Sequence, residues 1–207
     1  MKLFLASSID KTATLLTPLL SKEPKLTRLL FVANAADPYT EKWWIDLDRD
    51  KFIELGFQLT EIDLRRVSAE EFLKMLNESD VLHICGGSVY YLINLIRENN
   101  LDKIIINAVK SEKIIYTGTS AGSIIVSRSI AAFSYDEEEK EHIQKVPDKL
   151  GLGLIDFTLV PHCNNVDFIN EHKKIIEHIT KDTDPLIFLQ DSQAVLFEGE
   201  SFKIVSI

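Results

Sequence analysis

The chain has 207 residues, of which 45% are hydrophobic and 27% are charged, the composition of an ordinary globular protein. We expect residues 1–207 to form a single domain. Lys and Arg total 23 against 32 Asp and Glu, so the net charge is −9. Because this charge repels phosphate backbones and no basic stripe interrupts it, nucleic acid is excluded as a partner.

Three further features argue against membranes and secretion. No apolar stretch reaches the roughly 18 residues that a membrane span needs, and the apolar run within Met1–Asp10 is too short for a signal peptide. The two cysteines, Cys85 and Cys163, are too few for a disulfide framework. The sequence therefore predicts a cytoplasmic protein with no membrane partner.

Short apolar runs alternate with helical patterns along the chain. The runs predicted as strands are Leu3–Ile9, Arg28–Ala33, Gln58–Leu64, Asp80–Cys85, Lys113–Thr117, Ile155–Val160 and Leu186–Leu189. Two more runs, Ala194–Glu198 and Phe202–Ile207, flank Gly199 and predict a hairpin.

Helices are predicted between these strands, over Pro38–Leu55, Ser68–Asn77, Ser88–Lys110 with a break at Asn99-Asn100, Ser120–Ser127 and Val166–Ile179. Ser68 and Glu71 have capping-box spacing, which marks the start of the second helix. Strands joined by helices pair in parallel through right-handed crossovers and are covered on both faces. The predicted fold class is α/β, with a mostly parallel central sheet flanked by helices.

The segment Ser134–Lys149 breaks this alternation. It is rich in Asp and Glu and contains Pro147. We interpret it as an exposed, solvated connection, with a mobile flap beside the active site as the alternative.

The pattern Gly118-Thr119-Ser120-Ala121-Gly122 is the feature that points most directly to chemistry. It matches G-x-S-x-G, the turn that exposes a nucleophilic serine between a strand and a helix. A turn this sharp strains the central residue, so its neighbours must be small. The serine hydroxyl then lies at a helix N-terminus, where unpaired N–H groups favour developing negative charge.

A second glycine turn, Gly86-Gly87-Ser88, follows the strand Asp80–Cys85. The helix after it leads to the Ser120 strand, so the two strands are parallel and both turns lie at one sheet edge. The backbone amides of Gly87 and Ala121 are therefore predicted to form an oxyanion hole. A phosphate-binding turn, or a tight turn without function, is the alternative reading.

A serine nucleophile needs a base, and five histidines compete for that role. His83 lies inside a strand and is assigned to the core, His142 lies in the acidic segment, and His172 and His178 are assigned to a polar helix surface. His162 follows a predicted strand and Pro161. Since ligands of open α/β sheets bind beyond the carboxyl ends of strands, His162 is the best-placed base.

The acid that would orient His162 has two candidates. Asp191 follows the strand Leu186–Leu189, and Asp136 lies in the segment after the Ser120 helix. Either carboxylate can accept the imidazole N–H and fix its tautomer.

The sequence argues against a cysteine nucleophile and against a metal site. Cys163 adjoins His162, but adjacent side chains of an extended backbone point to opposite sides, and Cys85 is predicted to be a buried thiol. No H-E-x-x-H motif or paired-cysteine spacing occurs. We therefore predict neither a metal nor a cofactor.

Taken in order, Gly86-Gly87-Ser88, the Ser120 turn, Pro161-His162 and Leu189-Gln190-Asp191 resemble the peptidase E family of aspartyl dipeptidases and cyanophycinase-like enzymes. The resemblance spans nearly the whole chain. It implies a three-layer fold similar to class I glutamine amidotransferases, with Ser120 as nucleophile, His162 as base and the amides of Gly87 and Ala121 as oxyanion hole. It also implies Asp191 or Asp136 as the third member, and we favour Asp191 because it is fixed at a strand end.

The chain departs from that family in two places. Cys85-Gly86-Gly87-Ser88 stands where the family usually has Gly-Gly-Gly-Asn, and Asn170–Lys174 holds no arginine, the residue with which aspartyl dipeptidases bind a substrate carboxylate. Lysine is a poor substitute for that bidentate contact, so a preference for N-terminal aspartate is not expected.

The resulting hypothesis is a serine exopeptidase or dipeptidase that acts on small peptides through an acyl-enzyme. The alternatives are an α/β-hydrolase esterase, whose order of serine, acid and histidine differs, and a non-catalytic binding module on the same scaffold. A homodimer is a further hypothesis, although no apolar stripe in the sequence identifies its interface.

Overall fold

The computed structural model describes residues 1–137, 139–180 and 183–207. Glu138, which belongs to the acidic segment, lies outside the described residues. The strands are β1 (Lys2–Ala6), β2 (Arg28–Val32), β3 (Gln58–Ile62), β4 (Val81–Ile84), β5 (Ile115–Thr119), β6 (Thr158–Val160), β7 (Leu186–Phe188), β8 (Gln193–Glu198) and β9 (Ser201–Ser206).

The α-helices are α1 (Ile9–Thr12), α2 (Trp43–Glu54), α3 (Ala69–Asn77), α4 (Val89–Glu98), α5 (Asp102–Lys110), α6 (Ala121–Ile124), α7 (Lys140–Lys145) and α8 (Ile169–Glu177). Short 3₁₀ helices cover Ala13–Leu19, Pro24–Leu26, Asn34–Ala36, Ala131–Phe133 and Val166–Phe168. Within the described ranges, no helix is both long enough and apolar enough to cross a lipid bilayer.

The central sheet has seven strands in the order β3-β2-β4-β5-β1-β8-β9. The first five of these strands are parallel, and β8 and β9 extend the sheet as an antiparallel hairpin next to β1. This confirms the mostly parallel α/β class and the hairpin around Gly199. The prediction placed no second sheet, whereas β6 and β7 pair with each other in a separate two-stranded parallel sheet.

Helices cover both faces of the central sheet because alternate residues of each strand point to opposite sides. Leu3 and Leu5 of β1 pack in one buried cluster, and Phe4 and Ala6 pack in the other. The first cluster takes in α4, and the second takes in α2 through Ile45 and Phe52. The result is three layers, helix on sheet on helix.

Helix boundaries follow the predicted signals closely. Ser68 caps α3 with both bonds of the capping box. The predicted break in Ser88–Lys110 separates α4 from α5, with Asn100 at a positive φ of 57°. The predicted start at Pro38 is wrong, because α2 begins only at Trp43.

Candidate active site

Ser120 links the end of β5 to the start of α6 in a strained backbone conformation, with φ 48° and ψ −111°. This lies outside the regions that L-residues normally occupy. Close packing supports the turn, because a Cβ atom on Gly122 would lie 2.0 Å from the Ile84 carbonyl oxygen. A Cβ on Gly118 would lie 2.5 Å from the Gly122 backbone. Gly118 and Gly122 must therefore be glycines, because a side chain at either position would overlap neighbouring backbone atoms.

A continuous chain of hydrogen bonds joins Ser120, His162 and Asp191. The Ser120 hydroxyl lies 3.1 Å from His162 Nε2, and His162 Nδ1 lies 2.6 Å from Asp191 Oδ1. The hydrogen bond from His162 lowers the pKa of Asp191 to about 2, against the opposing effect of burial. The ionised Asp191 carboxylate accepts a hydrogen bond from the Nδ1–H of His162. The unprotonated Nε2 is then free to accept a hydrogen bond from the Ser120 hydroxyl.

His162 is held from several directions. Its backbone has a positive φ of 61°, and its ring stacks on Phe168 at 4.3 Å between centroids. Pro161, immediately before it, presents its carbonyl oxygen 2.8 Å from Nε2 of His172. The imidazole is only 14% exposed, so its position is set by packing as well as by hydrogen bonds.

Ser7 belongs to this site, although the sequence analysis missed it. Its fully buried hydroxyl accepts a hydrogen bond from the His162 backbone N–H at 2.8 Å and donates one to Asp191 Oδ1 at 3.0 Å. Ser7 directly follows β1, the strand beside β5, so the strand-end rule that selected His162 also applies to it. The Ser7 hydroxyl therefore links the backbone of His162 to the carboxylate that contacts its ring.

We expect Ser7→Ala to lower kcat/KM by roughly ten- to a hundred-fold, because a hydrogen bond to a charged group contributes about 1.5–3 kcal/mol. Steady-state kinetics on the best peptide substrate would measure the loss. Ser127→Ala is the matched control, since Ser127 is equally buried but lies outside this hydrogen-bond chain. Equal activity of the two variants would contradict a positioning role for Ser7.

The glycine turn after β4 lies directly against the serine. A Cβ on Gly86 would lie 3.1 Å from the Ser120 Cβ, and Trp44 Nε1 donates to the Gly86 carbonyl at 3.1 Å. Gly87 has φ 145°, and a Cβ there would lie 2.2 Å from the Ala35 carbonyl oxygen. Within residues 1–137, 139–180 and 183–207, the amides of Gly87 and Ala121 donate to no backbone carbonyl.

A cavity of about 660 Å³ opens onto Ser120 and His162. Aromatic side chains, among them Trp43, Trp44 and Phe168, form part of its lining. Its lining also carries more carboxylates than amines, with Asp10, Asp48, Asp136, Glu139, Asp167, Glu171 and Asp191 against Lys11 and Lys174. The chemistry available here is attack by a hydroxyl on a small electrophile in an acidic, partly aromatic cleft.

Comparison with known proteins decides the family. The model of peptidase family S51 matches residues 3–205, nearly the whole chain. The chain belongs to peptidase family S51. An uncharacterized peptidase of Listeria innocua is 27% identical over 86% of this chain and 84% of its own length. A peptidase E of Shewanella denitrificans is 23% identical over 85% of this chain and 73% of its own length.

The fold agrees with this assignment. A solved structure from Listeria monocytogenes EGD-e, assigned provisionally to peptidase E, superposes with a TM-score of 0.89. It covers 100% of this chain and 98% of its own, at 23% identity. The protein is thus a serine peptidase, as the sequence predicts, and the resemblance to peptidase E is confirmed. Neither the esterase nor the non-catalytic alternative is favoured.

The two candidate acids occupy different places in this S51 peptidase. Asp191 contacts the His162 ring, whereas the hydrogen bonds of that ring among the described residues do not include Asp136. Asp136 instead lies in the cavity lining near Glu139 and Glu171, where its charge contributes to their raised pKa values.

Two predictions about local exposure are wrong in the S51 peptidase. His172 is 9% exposed and lies against the Pro161 carbonyl, not on a helix surface. Glu139, expected in an exposed connection, is 7% exposed because its carboxylate accepts the first N–H groups of α4, from Val89 and Tyr90. The segment around it includes α7, which was not predicted.

Glu171 makes the stability of the S51 peptidase depend on pH. Burial, reinforced by the charges of Asp136 and Glu139, raises its pKa to about 7. Between its ordinary pKa of 4.5 and about 7, the folded protein retains a proton that the unfolded chain releases, so stability falls as pH rises. We expect Glu171→Gln to raise the free energy of unfolding by on the order of 1–3 kcal/mol near pH ~8 and by little near pH ~5.

Urea unfolding at the two pH values would measure this effect. Glu177→Gln is the matched control, since Glu177 lies on the same helix and is exposed. A gain for Glu171→Gln that is the same at both pH values would contradict the pH mechanism.

Proposed function

We propose that this S51 peptidase cleaves small peptides through an acyl-enzyme, with Ser120 as nucleophile, His162 as general base and Asp191 as the orienting acid. The observation that carries the proposal is the unbroken hydrogen-bond chain, 2.6 Å from Asp191 to His162 and 3.1 Å from His162 to Ser120. Nucleophile and base within hydrogen-bond reach, with the base oriented by a third group, is the arrangement that serine acylation requires.

In the first step, His162 Nε2 takes the Ser120 proton while the hydroxyl oxygen attacks the peptide carbonyl. The imidazolium that forms is stabilised by the ionised Asp191 and then donates its proton to the leaving amine. Water, deprotonated by the same imidazole, hydrolyses the acyl-enzyme and regenerates the serine. The strained backbone of Ser120 presents its oxygen at the cavity before substrate arrives.

The amides of Gly87 and Ala121 are proposed as the oxyanion hole. Ala121 follows the serine at the N-terminus of α6, and the Gly86-Gly87 turn packs on the serine side chain. Among the described residues neither amide donates to a backbone carbonyl, and two preorganised N–H donors of this kind suit the negative oxygen of a tetrahedral intermediate. The tight contact of Gly87 with Ala35 fixes the direction of its amide.

The substrate is proposed to be a short peptide, consistent with a cavity of about 660 Å³ that holds a few residues. The carboxylates in the lining, among them Asp10, Asp136 and Asp167, disfavour acidic substrate side chains. We therefore expect tripeptides that begin with Asp to be cleaved at least about tenfold less efficiently than those that begin with Asn.

The test is a panel of peptides two to five residues long, with acidic, neutral and basic first residues and mass-spectrometric identification of products. Release of one or two N-terminal residues would support an exopeptidase. Faster cleavage after Asp than after Asn would contradict the proposed role of the acidic lining. Turnover of p-nitrophenyl esters without peptide cleavage would contradict the peptidase proposal.

A cytoplasmic location is proposed as well, supported by the two free thiols of Cys85 and Cys163. Homodimer formation stays a prediction, which size-exclusion chromatography with light scattering would test.

A further inference from the structure

A second group of reactive side chains is buried on the α2 side of the sheet, beneath the glycine turn. It consists of Asp48 on α2, His83 on β4 and Cys85 just beyond β4, which are 2%, 0% and 0% exposed. His83 and Cys85 are two positions apart, so they point to the same face of the sheet, toward α2. The proposed peptidase mechanism uses none of the three.

The polar atoms of this group are incompletely satisfied. Asp48 Oδ2 and His83 Nε2 are buried and have no hydrogen-bond partner in the described part of the chain. The other ring nitrogen, His83 Nδ1, lies 2.7 Å from Thr117 Oγ1, which fixes the ring with Nε2 toward Asp48. Buried polar atoms without partners are costly and are uncommon in folded proteins.

We propose that Asp48, His83 and Cys85 bind a zinc-class divalent metal ion. One oxygen, one nitrogen and one sulfur, all within 4.8 Å of one another, can face a common centre. The 3.6 Å between Asp48 Oδ2 and His83 Nε2 is long for a hydrogen bond. It is close to the roughly 3.4 Å that separates two tetrahedral ligands bound at about 2.0–2.2 Å.

The ligand chemistry and charge fit zinc better than magnesium or calcium. Thiolate and imidazole suit zinc-class ions, whereas magnesium and calcium prefer oxygen ligands alone. Thiolate plus carboxylate gives −2, which neutralises a divalent ion in this buried setting. A metal-bound cysteine is a thiolate, so metal binding releases the Cys85 thiol proton to solvent.

A fourth ligand and an entry route are both available. Thr119 is buried and its side chain lies beside Asp48, which makes its hydroxyl a candidate for the fourth position. Water is the other candidate for this position. Asp48 and Thr119 both line the active-site cavity, so the ion can reach the cluster from there.

The proposed ion has a structural role. It would tie α2 to the end of β4, and α2 carries Trp44, which holds the Gly86 carbonyl beside Ser120. Metal binding is therefore expected to stabilise the fold and the glycine turn without taking part in the reaction.

The test uses the full chain, unfolded with chelator and reductant and then refolded with and without Zn²⁺ or Co²⁺. We expect one ion per chain by elemental analysis, a thiolate-to-cobalt charge-transfer band, and a higher thermal midpoint with Zn²⁺. Cys85→Ser is expected to lose the band, and Asp48→Asn to bind zinc at least about tenfold more weakly. Cys163→Ser is the matched control, since Cys163 is exposed and outside the cluster.

Two results would overturn the proposal. One is a refolded wild-type chain with native circular dichroism that binds neither ion, which would leave an Asp48–His83 pair bridged by water. The other is an identical cobalt spectrum in Cys85→Ser and wild type, which would place the ion elsewhere. If Cys85→Ser does not fold, loss of zinc by folded Asp48→Asn decides the question.

Discussion

Ser120→Ala is expected to lower kcat on a cleaved peptide by a factor on the order of 10⁴–10⁶ and to abolish labelling by a fluorophosphonate probe. The reason is that attack through Ser120 Oγ, with its proton passed to His162 Nε2 at 3.1 Å, is the proposed route to the acyl-enzyme. Steady-state kinetics and gel-based labelling of purified protein measure the two effects.

Ser123→Ala is the control for this experiment. Ser123 lies in the same short helix, but its hydroxyl donates to the carbonyls of Ala6 and Gly118 and does not contact His162. It is expected to retain the label. Because nucleophile and base act as a unit, Ser120→Ala/His162→Ala should be no slower than either single variant. Undiminished labelling of Ser120→Ala would refute the nucleophile assignment.

Asp191→Asn is expected to lower kcat by about 10⁴-fold, whereas Asp136→Asn should change it by less than about tenfold. An amide at residue 191 donates where a carboxylate accepts, so it favours the wrong tautomer of His162 and no longer balances the imidazolium. The pair of variants separates the two candidate acids, because Asp191 lies 2.6 Å from the ring and Asp136 lies in the lining with Glu139 and Glu171.

Both variants should be compared at several pH values, since the pKa of Asp191 is held at about 2 by its bond to His162. Between about pH 5 and 9 this carboxylate stays ionised, so the loss in Asp191→Asn should persist across that range. A large loss in Asp136→Asn, with Asp191→Asn near wild type, would reverse the assignment.

The strands and the separate pieces of the site could be predicted from the sequence. Each predicted strand has a counterpart in the described residues, because β-branched and apolar runs between turn residues are a strong local signal. The G-x-S-x-G turn selected Ser120 after β5, and the rule that ligands bind beyond strand ends selected His162 after β6 and Asp191 after β7. The structure brings these three side chains into contact.

The sheet that β6 and β7 join and the partner of β8 in the central sheet could not be predicted, because both depend on contacts far apart in the chain. The sequence between β6 and β8 alternates strand and helix like the rest, yet β6 and β7 leave the central sheet and β8 pairs with β1. No local pattern distinguishes a strand that joins the main sheet from one that joins a second sheet.

The environments of Glu139 and Ser7 were also missed, because they too depend on residues far away in the chain. Glu139 is in an acidic run typical of solvated loops, and only the approach of α4 gives its carboxylate two backbone donors. Ser7 is a common residue type after a strand, and its role depends on His162 and Asp191, which are more than 150 positions away.

This distance along the chain has a consequence for biosynthesis. Ser7 leaves the ribosome 184 residues before Asp191, so their side chains cannot meet until both residues have been synthesised. A nascent polypeptide that has exposed Ser120 and His162 still lacks Asp191, the carboxylate proposed to orient the imidazole. Hydrolytic activity is therefore expected only after Asp191 has been synthesised, so that shorter nascent chains are inert toward neighbouring peptides.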